Sequence, residues 1–357
     1  MRIYLVTFNF THNLGATLQE YALFKYIHNL GKDVYVVDYR PEPMKNRRYW
    51  SRTICVNNFI KKIYTLPRYL RKVLAFYKFS NRLVRLTTRC NNAFDIENLP
   101  DASLYICGSD QIWNPEITGG FDSGYFLNFR TDAKKISYAA SYGKDNCTDE
   151  DVDAILRLTE DYSAISVRES YLKERLEERG GRDIAHVLDP VFLLSKNDYE
   201  KIEKRPNMKG YVLIYTMAKD KRCANIAKSI GKIYNLKTVY LNLSRNIYGV
   251  NKVKAQITPE EFIGWVNHAD YVVTNSFHGT ALSILLGKQF YCTPLEERGS
   301  RIVSILAKLG LGSRIITEID VKTITVIDYE KVNKALNGEI ESSKEFLERA
   351  VTNVIMY

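Results

Sequence analysis

Short apolar runs alternate with longer amphipathic stretches along this chain, and the alternation starts twice. Ile3–Phe8, Asp33–Tyr39, Ser103–Cys107, Ile136–Ala140 and Ala164–Val167 are apolar runs of strand length. Between them, Leu18, Tyr21, Ala22, Ile27 and Leu30 recur at helical spacing and stop at Gly31, and helices are predicted over Asp149–Tyr162 and Glu169–Arg179. Strands with no polar face must be covered on both sides, and strands separated by helices pair in parallel. After Asp189-Pro190 and the polar stretch Lys196–Gly210 the pattern restarts. Strands are predicted at Tyr211–Met217, Thr238–Leu243, Tyr271–Thr274 and Phe290–Thr293. Helices are predicted at Lys219–Tyr234, from the capping box Thr258-Pro259-Glu260-Glu261 to His268, at Ala281–Leu286 and at Ser300–Leu309. The 357 residues therefore read as an α/β chain of two Rossmann-like domains, 1–196 and 197–357. The last helix is expected to pack back on the first domain.

Several function classes drop out. No apolar run approaches the ~18–20 residues of a membrane-spanning helix. The opening apolar stretch is too short for a secretory leader, so a cytoplasmic protein is expected. Six cysteines (Cys55, Cys90, Cys107, Cys147, Cys223, Cys292) lack paired spacing, and the five histidines (His12, His28, His186, His268, His278) show no ligand spacing beside them. Neither a disulfide framework nor a metal or other cofactor is expected.

The charge is concentrated. Lys45–Arg89 holds 13 Lys or Arg and no Asp or Glu, which leaves 38 basic against 41 acidic residues elsewhere. Ile63, Leu66, Leu70, Val73, Leu74 and Tyr77 recur there at helical spacing among Arg68, Arg71, Lys72 and Lys78, with an interruption expected at Pro67. This basic amphipathic insertion is either a packed element with a solvated face or a surface for an anionic partner, membrane or nucleic acid.

In a parallel sheet the chemistry belongs at the carboxyl ends of the strands. The first strand leads into Thr11, His12, Asn13 and Gly15, with Gln19 behind; the GxGxxG spacing of a nicotinamide site is absent. Gly108-Ser109-Asp110-Gln111-Ile112-Trp113 follows the strand ending at Cys107, and Ser141-Tyr142-Gly143 follows Ala140. Helix capping with a core tryptophan is the alternative reading of the 108–113 block. Arg168-Glu169 follows Val167, and an arginine there either binds an anion bidentately or pairs with Glu169 or Asp189. In the second half, Asn275-Ser276-Phe277-His278-Gly279-Thr280 follows a strand, placing His278 at the turn into a helix. Arg298 and Arg301 precede or open the last helix of the repeat as anion-binding candidates.

Asn13-x-Gly15-x3-Gln19, Gly-Ser-Asp-Gln-Ile-Trp at 108–113, Ser-Tyr-Gly at 141–143, Val167-Arg168-Glu169, Asp189-Pro190 and Asn-Ser-Phe-His-Gly-Thr at 275–280 together resemble the polysaccharide pyruvyl transferase family. The resemblance implies a GT-B-like fold, two Rossmann-like domains facing across a cleft. It implies transfer of the carboxyvinyl group of phosphoenolpyruvate to a sugar hydroxyl pair as a pyruvate ketal, in capsule, exopolysaccharide or envelope glycan synthesis. It assigns His278 and Arg168 to catalysis, and Arg301, Arg298, Asn275, Ser276, Gly279 and Thr280 to donor or anion binding. Asn13, Gly15, Gly108, Ser109, Asp110, Gln111 and Ser141 fall to cleft loops. Some relatives carry Arg-Leu where this chain has Ser276-Phe277, so an arginine beside the histidine is missing here. A lipid-linked or nucleotide-linked sugar is the implied acceptor. A lipid-linked one favours the membrane reading of Lys45–Arg89 over nucleic acid, with the protein peripheral at the inner face of the cytoplasmic membrane. The alternative activity is that of a GT-B glycosyltransferase using a sugar nucleotide.

Overall fold

A computed structural model describes residues 2–42, 44, 59–217, 219–241, 248–295, 299–317 and 325–352, with the backbone alone for 59–69. The described residues form two compact units. The first runs to Leu193 and regains the chain from Glu339; the second is Leu194–Gly338.

The first unit is built on strands β1 (Arg2–Val6), β2 (Asp33–Tyr39), β3 (Leu86–Cys90), β4 (Leu104–Cys107) and β5 (Lys134–Ser137). They form one parallel sheet in the order β3-β2-β1-β4-β5, with Ile3 opposite both Val34 and Leu104. Helix α1 (Leu14–Asn29) returns the chain from β1 to β2, and helix α2 (Phe59–Leu83) from β2 to β3. Helix α3 (Asp149–Leu158), strand β6 (Ser166–Val167), helix α4 (Ser170–Gly180) and strand β7 (Ala185–His186) complete it, with β6 and β7 paired in parallel. β1 and β4 are buried from end to end apart from Arg2, as a sheet covered on both faces requires.

The second unit repeats the plan. Strands β8 (Tyr211–Tyr215), β9 (Lys237–Leu241), β10 (Lys252–Lys254), β11 (Tyr271–Thr274) and β12 (Gln289–Cys292) are parallel in the order β10-β9-β8-β11-β12. Helices α5 (Lys221–Tyr234), α6 (Pro259–Asn267), α7 (Phe277–Leu285) and α8 (Ser300–Lys308) alternate with them. Helix α9 (Tyr329–Thr352) begins in this unit, where the Tyr329 hydroxyl donates to the carbonyl of Lys288 (2.5 Å). Its later residues belong to the first unit, where the Leu188 N–H donates to Ser343 Oγ (2.9 Å) and Leu347 is fully buried.

Both sheets therefore have the order third–second–first–fourth–fifth. The connections reverse direction between the first and fourth strands, β1 and β4 in one unit, β8 and β11 in the other. In doubly wound sheets such a reversal is where ligands bind, at the strand carboxyl ends.

The structure departs from the sequence expectations at several elements. Helix α2 runs through Pro67 instead of breaking there. The cost of a helix-interior proline, about 3 kcal/mol, is met by burial of Phe76 and Phe79, the latter edge-on to Tyr21 of α1 at 5.8 Å, at roughly 1.5–3 kcal/mol per side chain. Helix α7 starts at Phe277, not Ala281. Strand β5 ends at Ser137; beyond it Ala139 takes φ +50°, and Ala140 makes only single bridges to Asp110 and Val167.

Candidate active site

The motif residues after β11 divide into those that build the turn and those that it presents. Ser276 is the N-cap of α7, in extended geometry, its Oγ accepting from the Gly279 N–H (3.4 Å). Thr280 Oγ1 donates back to the Ser276 carbonyl (3.1 Å). A Cβ at Gly279 would lie 2.4 Å from Thr274 Oγ1 and 3.1 Å from Tyr215 Cδ1, so glycine is what lets α7 lie against β8 and β11. Asn275 Oδ1 accepts from the Met217 N–H (2.8 Å) and its amide donates to Asp220 Oδ2 (3.2 Å), which also accepts from Thr293 Oγ1 (3.2 Å). The loops after β8, β11 and β12 are thereby locked together. Burial pushes the Asp220 carboxyl up, but donors from Arg222 and Asn275 outweigh it and hold the group below its ordinary range.

Phe277 and His278 are what this turn presents. His278 lies in the first turn of α7, 9% exposed, its ring edge-on to Phe277 with centroids 5.3 Å apart. The Arg301 guanidinium, from the first turn of α8 and also 9% exposed, lies 5.4 Å from the centre of the same Phe277 ring. One aromatic ring thus carries an imidazole and a guanidinium at the amino end of a nine-residue helix, where first-turn N–H groups and the helix dipole favour an anion. Arg298 lies outside the described residues.

The first unit gathers a second constellation at the ends of β4, β5 and β6. Gly108 takes φ +115°, and a Cβ there would sit 2.2 Å from the Tyr138 carbonyl oxygen. The Ser109 N–H donates to Gln19 Oε1 (3.2 Å) and its Oγ to the Ala139 carbonyl (3.0 Å), while Gln19 Nε2 donates to Thr7 Oγ1 (2.9 Å). Gln19 therefore ties the loops after β1 and β4 together. Asp110, at φ +71°, accepts from the Gln111 N–H (2.9 Å), and the Gln111 side chain covers Gly143 so closely that a Cβ there would overlap it. Trp113 is fully buried and stacked on Phe126 at 5.3 Å, so it belongs to the core. Asn13 is the N-cap of α1, and its Oδ1 takes the N–H groups of Gly15 (2.9 Å) and Ala16 (3.3 Å).

Arg168 is buried within this constellation. Its Nη1 lies 2.5 Å from Asp189 Oδ2, and its Nη2 donates to Ser141 Oγ (3.0 Å) and lies 3.5 Å from Asp110 Oδ1. The Ser141 hydroxyl donates to Glu169 Oε1. Burial works against the guanidinium's charge, yet Asp189, Glu169 and Asp110 outweigh it and raise its pKa. Both carboxylates that the sequence offered as partners are in reach of the guanidinium, Asp189 Oδ2 at 2.5 Å and Glu169 Oε1 at 3.9 Å.

Two acidic groups escaped the sequence reading. Asp220 carried no signal beyond its place before a helix. Glu20 of α1 is 1% exposed, neither carboxylate oxygen has a hydrogen-bond partner among the described residues, and burial with the charge of Asp38 pushes its pKa well up. Among the described residues no group of three or more His, Cys, Asp and Glu is arranged to hold a metal ion.

Two parallel five-stranded sheets of one order, each with its polar loops at the first–fourth strand junction, define an α/β protein of the GT-B type. Solved structures share the fold. UDP-GlcNAc 2-epimerase from Neisseria meningitidis, bound to UDP-GlcNAc, aligns over 99% of this chain and 100% of its own at 13% identity and TM-score 0.52. UDP-GlcNAc 2-epimerase from Methanocaldococcus jannaschii, in complex with UDP-GlcNAc and UDP, aligns over 99% of both chains at 12% identity and TM-score 0.52. No curated protein matches the chain in sequence. Residues 13–295 match the family described as Polysaccharide pyruvyl transferase, and the chain belongs to that family. The family implies a transferase acting on polysaccharide.

Proposed function

We propose that this protein moves pyruvate from phosphoenolpyruvate onto two hydroxyls of a sugar as a ketal, with release of phosphate, in capsule, exopolysaccharide or envelope glycan synthesis. The observation that carries this reading is His278 and Arg301 on one Phe277 ring at the amino end of α7. Phosphoenolpyruvate brings a carboxylate and a phosphate, and Arg301 with the first-turn N–H groups supplies the positive field they need. His278 donates a proton to the methylene carbon, since imidazolium is the side-chain acid suited to neutral pH. The adjacent carbon then carries oxocarbenium character and takes the first hydroxyl. Phosphate leaves, the second hydroxyl closes the ketal, and the two hydroxyl protons balance the one now on the methyl group and the one accepted by phosphate. Asn275, Ser276, Gly279 and Thr280 hold the histidine's turn, and Arg168 positions Ser141 and Asp110 at the loops of the first unit.

The acceptor in this reading is a sugar on a lipid or nucleotide carrier, met in the cytoplasm. Helix α2 supports the lipid carrier. It turns Phe76 and Phe79 inward but leaves Leu70, Leu74 and Tyr77 about half exposed, with Arg71 and Arg82 exposed on the same helix. An apolar stripe flanked by cations suits the surface of an anionic bilayer. Leu70→Ser with Leu74→Ser is expected to release the protein from anionic vesicles, and unchanged binding would remove the membrane from the reading.

The deciding experiment mixes the protein with phosphoenolpyruvate and lipid-linked or UDP-linked sugars and measures phosphate. Release is expected, with a loss of about 10²–10⁴-fold in His278→Gln. Turnover of the sugar nucleotide with no phosphate from phosphoenolpyruvate would instead establish the glycosyltransferase activity that the GT-B fold equally supports.

A further inference from the structure

In the first unit the loop after β1 and helix α2 meet around a further cationic group. His12, at φ +44° in that loop, sets its ring edge-on to Phe76 of α2 with centroids 5.7 Å apart. Lys72, one helical turn before Phe76, places its Nζ 5.5 Å from the same ring centre. Lys72 is partly buried and makes no hydrogen bond or ion pair among the described residues, and burial pushes its pKa down.

The acids of the neighbouring elements do not neutralise it. Asp38, at the end of β2, is taken by Arg40 through two contacts of 2.6 and 2.9 Å, with Asn9 Nδ2 at 3.3 Å and Arg89 Nε at 3.9 Å. Glu20, on α1, has its pKa pushed well up by burial and by the charge of Asp38, which disfavours its charged form. No Asp or Glu occurs anywhere in residues 45–89. Lys72 and Arg40 in turn help burial press His12 toward its neutral form. Two further polar atoms in the loop, Thr11 Oγ1 and Asn9 Oδ1, are buried without a hydrogen-bond partner among the described residues. The loop also lies at the carboxyl end of β1, beside the β1–β4 junction where a doubly wound sheet takes its ligand.

We infer that this loop and α2 form an anion site, with Lys72 as its cation and the Thr11 hydroxyl as a second donor. It takes the phosphoryl or pyrophosphoryl group that carries the acceptor sugar. The inference rests on the transfer reading for the word acceptor, and on the geometry alone for the anion. It gives the basic insertion a second task, the delivery of one half-buried ammonium to the strand-end loop. A half-buried ammonium without a carboxylate gains more from a phosphate than an exposed one, because less water screens the pair.

The test is calorimetric titration of the full-length protein with inorganic pyrophosphate, UDP and phosphoenolpyruvate. Wild type, Lys72→Met, Lys72→Arg and Lys78→Ala are compared, each checked by its melting curve. Lys72→Met keeps the apolar stem over Phe76, and Lys78 is an exposed cation of the same helix. The expected result is pyrophosphate and UDP binding weakened about tenfold or more in Lys72→Met and partly restored in Lys72→Arg. Lys78→Ala should match wild type, and phosphoenolpyruvate affinity should be unchanged throughout. Equal losses in the Lys72 and Lys78 variants would reduce the effect to overall charge and overturn the site. Pyrophosphate binding unaffected by Lys72→Met, or no binding by wild type, would also overturn it. A loss confined to phosphoenolpyruvate would overturn the acceptor assignment. None of these readouts needs turnover, so failure of ketal transfer and failure of the anion site are separate results.

Discussion

Replacing Arg168 by alanine tests whether that side chain serves the fold or the donor. Its side chain is 2% exposed and that of Asp189 is fully buried, with Nη1 and Oδ2 2.5 Å apart. Removing the guanidinium strands a carboxylate away from water and strips Ser141 and Asp110 of a shared partner. Breaking one side of such a pair costs about 3–5 kcal/mol, a large share of the ~5–15 kcal/mol that holds a domain folded. For a unit of this size each kcal/mol moves the melting temperature by roughly 2–4 °C, so the first unit should melt about 6–20 °C lower. Arg168→Lys should fall between, because one ammonium cannot reach Asp189, Ser141 and Asp110 together as the planar fork does. Arg168→Met with Asp189→Leu should recover much of the loss, since the desolvation cost of both charges disappears. Scanning calorimetry with urea unfolding followed by circular dichroism reads all three. An Arg168→Ala protein that melts with wild type and has lost only affinity for phosphoenolpyruvate would refute the argument and return Arg168 to the donor site.

Three other outcomes follow from the same geometry. Gly279→Ala should lower the stability of the second unit and the turnover together, because its Cβ would press on Thr274 Oγ1 at 2.4 Å; wild-type values for both would show that α7 can shift. Glu20→Gln should flatten the fall in stability with rising pH. The folded carboxyl keeps its proton well above 4.5 while the unfolded one loses it, so wild-type stability declines from about pH 4.5 upward, and parallel urea midpoints for the two proteins across pH 4–8 would contradict this. His12, pressed by burial, Lys72 and Arg40 from 6.5 to about 4, acts at the acid end. The unfolded chain takes up the proton first, so stability is complete above about pH 6.5 and at most about 3 kcal/mol is lost as pH falls through 4, a loss that His12→Gln should lack.

Legible in the sequence were the covered central strands and the strand-end position of the blocks at 108–113 and 275–280. A strand covered on both faces must be apolar throughout, so Ile3–Val6, Leu104–Cys107 and Tyr211–Tyr215 announce themselves without reference to any other part of the chain. The edge strands β3 and β10 were invisible for the converse reason. Leu86–Cys90 and Lys252–Lys254 are half exposed and polar, and they become strands only because β2 and β9 offer them a free edge. The start of α7 was misplaced because Gly279 reads locally as a breaker, whereas the closeness of Thr274 makes it a packing residue. Tertiary structure alone decided which charges meet. Arg168 and Asp189 are 21 residues apart, and only the fold sets Asp189 at 2.5 Å and Glu169 at 3.9 Å from the one guanidinium. The same holds for α2. Its period displays apolar residues on more than one side, and only the presence of Tyr21 and His12 decides that Phe76 and Phe79 turn inward while Leu70, Leu74 and Tyr77 stay in solvent. Periodicity is a property of a segment, whereas burial and pairing need a second surface, and that surface comes from a distant part of the chain.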